Sequence, residues 1–267
     1  MSDAHTRKSP RIIAIANQKG GVGKTTTTIN LGAALCELGF RVLIVDLDPQ
    51  GNASTGLGIA LDARELTSYD LLLDDVAVKD LIRATATNGL EIIPANQDLS
   101  SADIELYASE RRSLLLRDAL SGNGLPDVEF VLIDCPPSLN LLTVNAMVAA
   151  HSVLVPLQSE FFALEGLSQL MQTVREVRSS ANPALRYEGI VLTMYDARNN
   201  LSQQVEADAR ANLGDLVMRT VIPRNVRVSE APSYAIPVLD YDSTSKGALA
   251  YRALAAELVK KNDALAA

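Results

Sequence analysis

Lys24 and Thr25 close a run of glycines, Gln18-Lys19-Gly20-Gly21-Val22-Gly23-Lys24-Thr25-Thr26. A lysine and a hydroxyl placed directly after a glycine turn are suited to holding a polyphosphate. Glycines let the backbone curl so that successive N–H groups converge on an anion. The run from Gly20 through Gly21, Val22 and Gly23 to Thr26 supplies that cradle. Lys24 can reach the terminal phosphates, and the Thr25 hydroxyl can ligate Mg²⁺ directly. Three aspartates extend the pattern. Asp134 ends the apolar run V-E-F-V-L-I-D and is followed by Cys-Pro-Pro. A carboxylate in that position can hold a water bound to Mg²⁺. Asp46 and Asp48 end another apolar run, in D-L-D-P-Q-G-N. Asp46 there is expected to support either the magnesium shell, through water, or the loop that follows.

These groups need elements to position them. Residues 12–16 are apolar and read as a buried strand before the glycine loop. Ile29, Leu31, Ala34, Leu35 and Leu38 then repeat at helical spacing over residues 25–38, with Gly39 as the stop. Strand, glycine loop and helix are the context a phosphate loop requires, because the helix N-terminus adds partial positive charge. Further strands are expected at residues 41–46, 90–94, 128–134, 152–156, 189–194 and 217–222. Short helices are expected at 69–73 and 78–84. Longer ones are expected at 102–120, ended by Gly122 and Gly124, and at 141–150, 164–178, 201–213 and 246–260, with 223–237 irregular. Strands alternate with helices and are apolar on both faces. That predicts an α/β fold, a mainly parallel twisted sheet with helices on each side, in one domain spanning residues 1–267 with a loose tail at 1–10.

Composition narrows the function classes. The chain has 267 residues, 48% hydrophobic and 21% charged, which is globular rather than disordered. Aromatics are 4% and there is no Trp, so Ala, Leu, Val and Ile must fill the core. The net charge of −8 argues against coating nucleic acid through overall charge. Cys36 and Cys135 make neither a disulfide framework nor a zinc site and suit a reduced cytosol. His5 and His151 are too isolated for a metal or a triad. No apolar run reaches membrane-spanning length.

The usual G-x-x-x-x-G-K-[ST] pattern has Gly at the position of Gln18, and this chain carries an extra lysine, Lys19, before the paired glycines. In this the loop resembles the deviant Walker A motif of the ParA/MinD group of P-loop ATPases. The stretches A-N-Q-K-G-G-V-G-K-T-T-T, D-P-Q-G-N, I-D-C-P-P-S-L, F-F-A-L-E-G-L, L-T-M-Y-D-A-R and V-I-P-R-N-V-R-V-S-E-A-P-S look like those of chromosomal ParA (Soj) proteins. The match covers nearly the whole chain. It implies an ATP- and Mg²⁺-dependent homodimer with slow ATP hydrolysis. It also implies non-specific binding of double-stranded DNA by the ATP dimer and stimulation by a ParB-type centromere-binding protein. By the same resemblance Asp48 positions the attacking water, Lys19 reaches the partner's nucleotide across the dimer, and Pro223 and Asn225 contact the adenine. A cytoplasmic, nucleoid-associated bacterial protein is expected.

Bottom-up support for DNA binding is local. Arg198, Arg219, Arg224 and Arg227, and further on Arg252, fall in the C-terminal third, where pairing two copies would double the cluster. Two alternatives use the same loop. A membrane-associated MinD-like protein needs a bulky, basic amphipathic C-terminal helix, and the Ala-rich end here does not provide one, so no membrane partner is expected. A nitrogenase iron-protein relative needs paired interface cysteines, and Cys36 and Cys135 are not placed for that.

Overall fold

The computed structural model describes residues 9–74, 76–106, 110–121, 125–160 and 163–266. Most of the tail, Gly122, Gly124, Phe161 and Phe162 therefore lie outside the described residues. The strands are β1 (Arg11–Ile15), β2 (Val42–Asp46), β3 (Arg83–Ala84), β4 (Leu90–Ile93), β5 (Phe130–Asp134), β6 (Ser152–Gln158) and β7 (Arg186–Thr193). They form one sheet in the order β3-β4-β2-β5-β1-β6-β7. Every pairing is parallel except that of the short edge strand β3 with β4. The helices in chain order are α1 (Lys24–Glu37), α2 (Asn52–Gly56), α3 (Ser68–Leu73), α4 (Val78–Leu81), α5 (Leu99–Leu106) and α6 (Leu115–Ser121). They continue with α7 (Leu141–Ala149), α8 (Ala163–Ser180), α9 (Asn200–Leu213), α10 (Val226–Glu230), α11 (Val238–Tyr241) and α12 (Lys246–Ala266).

Alternate strand residues face opposite cores. Ile13 and Ile15 point to a layer made by α1, α2, α11 and α12, while Ile12 and Ala14 point to one made by α3 to α9. Burial on both faces explains why the strands are apolar runs rather than alternating ones. Helix α1 lies under the sheet centre, and at Gly32 an added Cβ would come within 3.0 Å of Leu90 and 3.4 Å of Ile44.

Three expectations need correction. The helix expected over 102–120 is two helices, α5 and α6, with a turn at 110–114. Asn145 of α7 explains the break: its amide donates to the Arg112 carbonyl at 2.7 Å and its carbonyl accepts from Leu116 N–H at 3.3 Å. A buried tertiary partner thus takes up backbone groups that a continuous helix would use. The strand expected at 217–222 is only a pair of isolated bridges, at Val217 and Pro223. Between them the N–H groups of Arg219 and Thr220 donate to the Glu257 carboxylate at 2.7 and 2.8 Å, so no ladder forms. The helix expected over 78–84 stops at Leu81, and Arg83–Ala84 pairs with β4 instead. Within 223–237, expected to be irregular, Asn225 caps the short helix α10 by accepting from Arg227 N–H at 2.9 Å.

Candidate nucleotide site

The parallel order brings the C-terminal ends of β1, β2 and β5 together. Ile15 and Asp46 each pair in register with Asp134, so the two aspartates sit side by side. The glycine loop leaves β1 at the same edge, where ligands bind in open parallel sheets. Gly21 and Gly23 adopt φ of 73° and 86°, the left-handed conformation that glycine takes without strain. The loop is fastened to its neighbours. Asn17 Nδ2 donates to the Pro156 carbonyl at 2.7 Å while its Oδ1 accepts from Lys19 N–H at 3.0 Å. Thr193 Oγ1 at the end of β7 donates to the Val22 carbonyl at 2.8 Å. No acidic side chain occupies the first turn of α1, so the helix's own sequence leaves the positive end of its dipole uncompensated.

Lys24 is buried, and its Nζ donates to the Lys19 carbonyl at 3.1 Å. Burial lowers its pKa, opposed first by the charge of Asp134. Lys19 itself is half-exposed, with its Nζ 3.4 Å from Glu160.

The three aspartates have different surroundings. Asp46 is fully buried, and both oxygens are engaged: Oδ1 accepts from Asp48 N–H at 3.2 Å, and Oδ2 from Ser54 N–H and Oγ at 2.9 and 2.7 Å. Of the two roles expected for it, magnesium shell or loop support, these bonds match the holding of the loop. Asp48 accepts from Gln50 N–H at 3.0 Å and faces the cleft. Asp134 Oδ1 accepts from Thr28 Oγ1 at 3.1 Å, and Oδ2 is buried beside the Thr25 hydroxyl with no well-formed hydrogen bond among the described residues. Burial, reinforced by the Asp46 charge and opposed by the Thr25 and Thr28 hydroxyls, pushes the Asp134 carboxyl up to about 8. Burial likewise raises Asp46 to about 6. An under-bonded carboxylate oxygen beside the Thr25 hydroxyl fits a divalent cation. Among the described residues no group of three or more His, Cys, Asp or Glu could hold a metal alone. Mg²⁺ keeps waters and takes most of its other oxygens from phosphates.

A cleft of about 600 Å³ opens between the glycine loop, Asp48, Asn30 and the segment 231–236. A smaller one of about 270 Å³ adjoins it, lined by Pro223 and Asn225 together with Thr26 and Tyr251. Tyr234, in the segment 231–236, packs its ring against that of Tyr241 with centroids 4.8 Å apart and planes tilted by 30°, and Tyr234 is largely exposed. The structure therefore gathers Lys24, Thr25, Asp48 and Asp134 in one site and puts Pro223 and Asn225 at its rim. The arginines divide into two kinds. Arg198 is paired with Asp196 at 3.1 Å, and Arg227 with Glu230 at 2.9 Å and Asp242 at 3.3 Å. Among the described residues Arg219 and Arg224 have no carboxylate within ion-pair distance. Arg252 is held by Glu37.

Asn17, Thr28, Asn30, Arg64 and Thr193 were not singled out by the sequence. Thr28 was within reach of it, since it lies one turn beyond Lys24 on the same helix face. Asn17, Asn30 and Thr193 act across long sequence separations.

Glycine loop, strand-end carboxylates and doubly flanked sheet define a P-loop nucleoside triphosphatase with the lysine-bearing variant of the loop. The profile of a family described as an AAA domain matches residues 10–187. Chromosome partitioning protein ParA of Caulobacter vibrioides is 59% identical over 254 residues, 94% of this chain and 94% of that one. Sporulation initiation inhibitor protein Soj of Bacillus subtilis is 52% identical, covering 93% of this chain and 98% of that protein. Cobyrinic acid a,c-diamide synthase from Mycobacterium smegmatis, solved with bound ATP analog and magnesium, superimposes with a TM-score of 0.82 at 40% identity over 94% of this chain and 95% of that one. The chain belongs to the ParA/Soj family of chromosome-partitioning ATPases.

Proposed function

We propose that this chain is an ATP-driven switch for DNA segregation, cycling between a free form and a DNA-bound homodimer. The carrying observation is the under-bonded, buried Asp134 oxygen beside Thr25 at the mouth of the glycine loop. Bound Mg²⁺ would supply neutralisation of the charge on the phosphates. Thr25 would ligate it directly and Asp134 through water. The chain's own residues do the rest. Backbone N–H groups of residues 20–26 bind the phosphates, and Lys24 turns from the Lys19 carbonyl toward them. Asp48 orients the attacking water, which phosphoryl transfer needs more than a strong base. Lys19, exposed beside the loop, reaches the partner's nucleotide in the dimer. Pro223 and Asn225 flank the adenine.

The DNA-binding step follows from charge. A single acidic chain is repelled by DNA at long range. Pairing two copies sets two arginine clusters side by side, and linking two weak sites raises affinity without a new type of contact. Arg219 and Arg224, unpaired among the described residues, would contact phosphate directly, while Arg198 and Arg227 must exchange a carboxylate for a phosphate. A ParB-type partner accelerates an otherwise slow hydrolysis and returns the chain to its free, cytoplasmic form. No described helix is long and apolar enough to cross a membrane.

The test is a titration against random-sequence DNA with ATP, with ADP and without nucleotide, at two salt concentrations, with liposome co-sedimentation alongside. Binding only with ATP, weakening steeply with salt, is expected. Equal binding in all three states removes the switch. Liposome binding without DNA binding moves the chain to a MinD-like membrane role.

A further inference from the structure

Arg64 is 4% exposed, yet among the described residues no carboxylate lies within ion-pair distance of it. Burying a guanidinium without a counter-ion is costly unless its donors are satisfied. Here all five are used, on neutral acceptors. Nε donates to the Ile59 carbonyl at 3.1 Å, and Nη2 to that same carbonyl at 2.6 Å and to Thr55 Oγ1 at 2.8 Å. Nη1 donates to the carbonyls of Gly51 at 3.4 Å and Ala95 at 3.0 Å. These acceptors come from the loop after Asp48, from α2, from the turn after α2 and from the end of β4. Lysine, with three donors on one atom, cannot reproduce that fork.

The bonds lead to Asp48. Gly51, whose carbonyl accepts from Arg64, donates its own N–H to the Asp48 carbonyl at 2.8 Å. Asp48 Oδ1 accepts from Gln50 N–H inside the same turn. Gly51 has φ of 60°, and a Cβ there would collide with Arg64 Nη1 and come within 2.7 Å of the Ala95 carbonyl oxygen. The tight turn after Asp48 and the guanidinium are therefore fitted to each other. A second fastening lies beneath, where Ser54 Oγ donates to Asp46 and accepts from Ala95 N–H at 3.0 Å. Asp46 and Ser54 hold the root of the loop, and Arg64 holds its crown.

We propose that Arg64 is a positioning residue for hydrolysis, fixing the turn that carries Asp48 at the height from which Asp48 orients the attacking water. This rests on the reading of Asp48 given above. Arg64 touches neither the glycine loop nor the phosphate cradle. Its loss should therefore act on the transition state and leave nucleotide affinity in place. A displacement of about 1 Å in a group that orients a reactant costs on the order of 100-fold in rate.

The experiment compares wild type, Asp48→Ala, Arg64→Lys and Arg64→Ala in full-length protein, each checked for a cooperative thermal transition. ATP affinity is measured by calorimetry with Mg²⁺, and turnover with saturating ATP. Both Arg64 variants should bind ATP within about 3-fold of wild type and lose about 10- to 100-fold in kcat. Millimolar guanidinium ion should restore part of the Arg64→Ala rate and none of the Asp48→Ala rate, a response that a general loss of packing does not give. If Arg64→Ala does not fold, Arg64→Lys carries the comparison of kcat with affinity alone. Wild-type kcat in a folded Arg64→Lys, or a rate loss matched by an equal loss of ATP affinity, overturns the proposal while leaving the Asp48 reading intact. Wild-type turnover in Asp48→Ala would instead bring down the underlying reading, and the proposal with it.

Discussion

At the scale of the residue, Asp134 carries a conflict that the nucleotide site is built around. It is fully buried beside another carboxylate, and among the described residues one oxygen makes no well-formed hydrogen bond. Folded, its carboxyl keeps its proton to about 8, mainly through burial and then through the Asp46 charge. The unfolded chain releases that proton in the ordinary carboxylate range, so the nucleotide-free protein loses stability as pH rises from there to about 8. Asp134→Asn keeps an acceptor for Thr28 and removes the titration. With EDTA present and no nucleotide, the variant should be more stable than wild type at neutral pH, by on the order of a few kcal/mol. The difference should vanish at pH values below the ordinary carboxylate range. Urea midpoints across that window would check it, and parallel curves for the two proteins would contradict the account. The sequence was informative at this scale where chemistry is local. That Lys24, Thr25 and Asp134 come together at one edge of the sheet was legible because a glycine run and a strand-end carboxylate announce themselves. Arg64 was not, since a lone arginine in the mixed run I-A-L-D-A-R-E-L carries no sign that it will be buried.

At the scale of the element, α1 is the hub. It begins at the glycine loop, packs under the sheet, and contacts α12 along its length. Asn30 joins it to the segment that roofs the cleft: its Oδ1 accepts from Val238 N–H at 2.7 Å and its Nδ2 donates to the Thr26 carbonyl at 2.7 Å. Asn30→Ala strands a buried Val238 N–H and should cost about 1–3 kcal/mol in urea unfolding. It should also weaken ATP binding, because the roof is no longer tied to the helix that carries the phosphates. A stability loss with unchanged ATP affinity would show that the tie serves the fold alone. The strands and most helices were legible because both-face burial and helical periodicity are written in residue type. The break between α5 and α6, and the loss of the strand at 217–222, were not. Each is decided by one distant polar side chain, Asn145 or Glu257, that takes over the backbone groups involved.

At the scale of the whole molecule, the C-terminal arginines sit in an acidic chain of net charge −8. The Arg198 side chain holds the Asp196 carboxyl down at about 2, first by direct hydrogen bonding. Asp196 is therefore ionised throughout the neutral range and competes with any phosphate for Arg198. Protonation would release Arg198 only as pH falls toward that depressed value. Asp196→Asn should strengthen binding of the ATP form to DNA by no more than a few-fold, because an exposed pair is well screened. It should also steepen the salt dependence, since one more arginine per chain is free to displace a counter-ion. Fluorescence anisotropy at several salt concentrations reads both quantities. Unchanged affinity and slope would place Arg198 away from the DNA.

The ring pair Tyr234 and Tyr241 has an optical consequence. The chain contains no tryptophan, so its ultraviolet emission comes from tyrosine alone. Tyr234 is 64% exposed, stands against a second ring, and lies between Pro232 and Ile236 of the cleft wall. Tyr234→Trp would install a lone indole there, excitable at wavelengths where the rest of the protein is dark. Its emission should shift to the blue and gain intensity when the cleft fills, giving a stopped-flow signal for nucleotide arrival and departure with no attached dye. An indole whose spectrum is the same with and without ATP and Mg²⁺ would mean that this wall does not move when the site is filled.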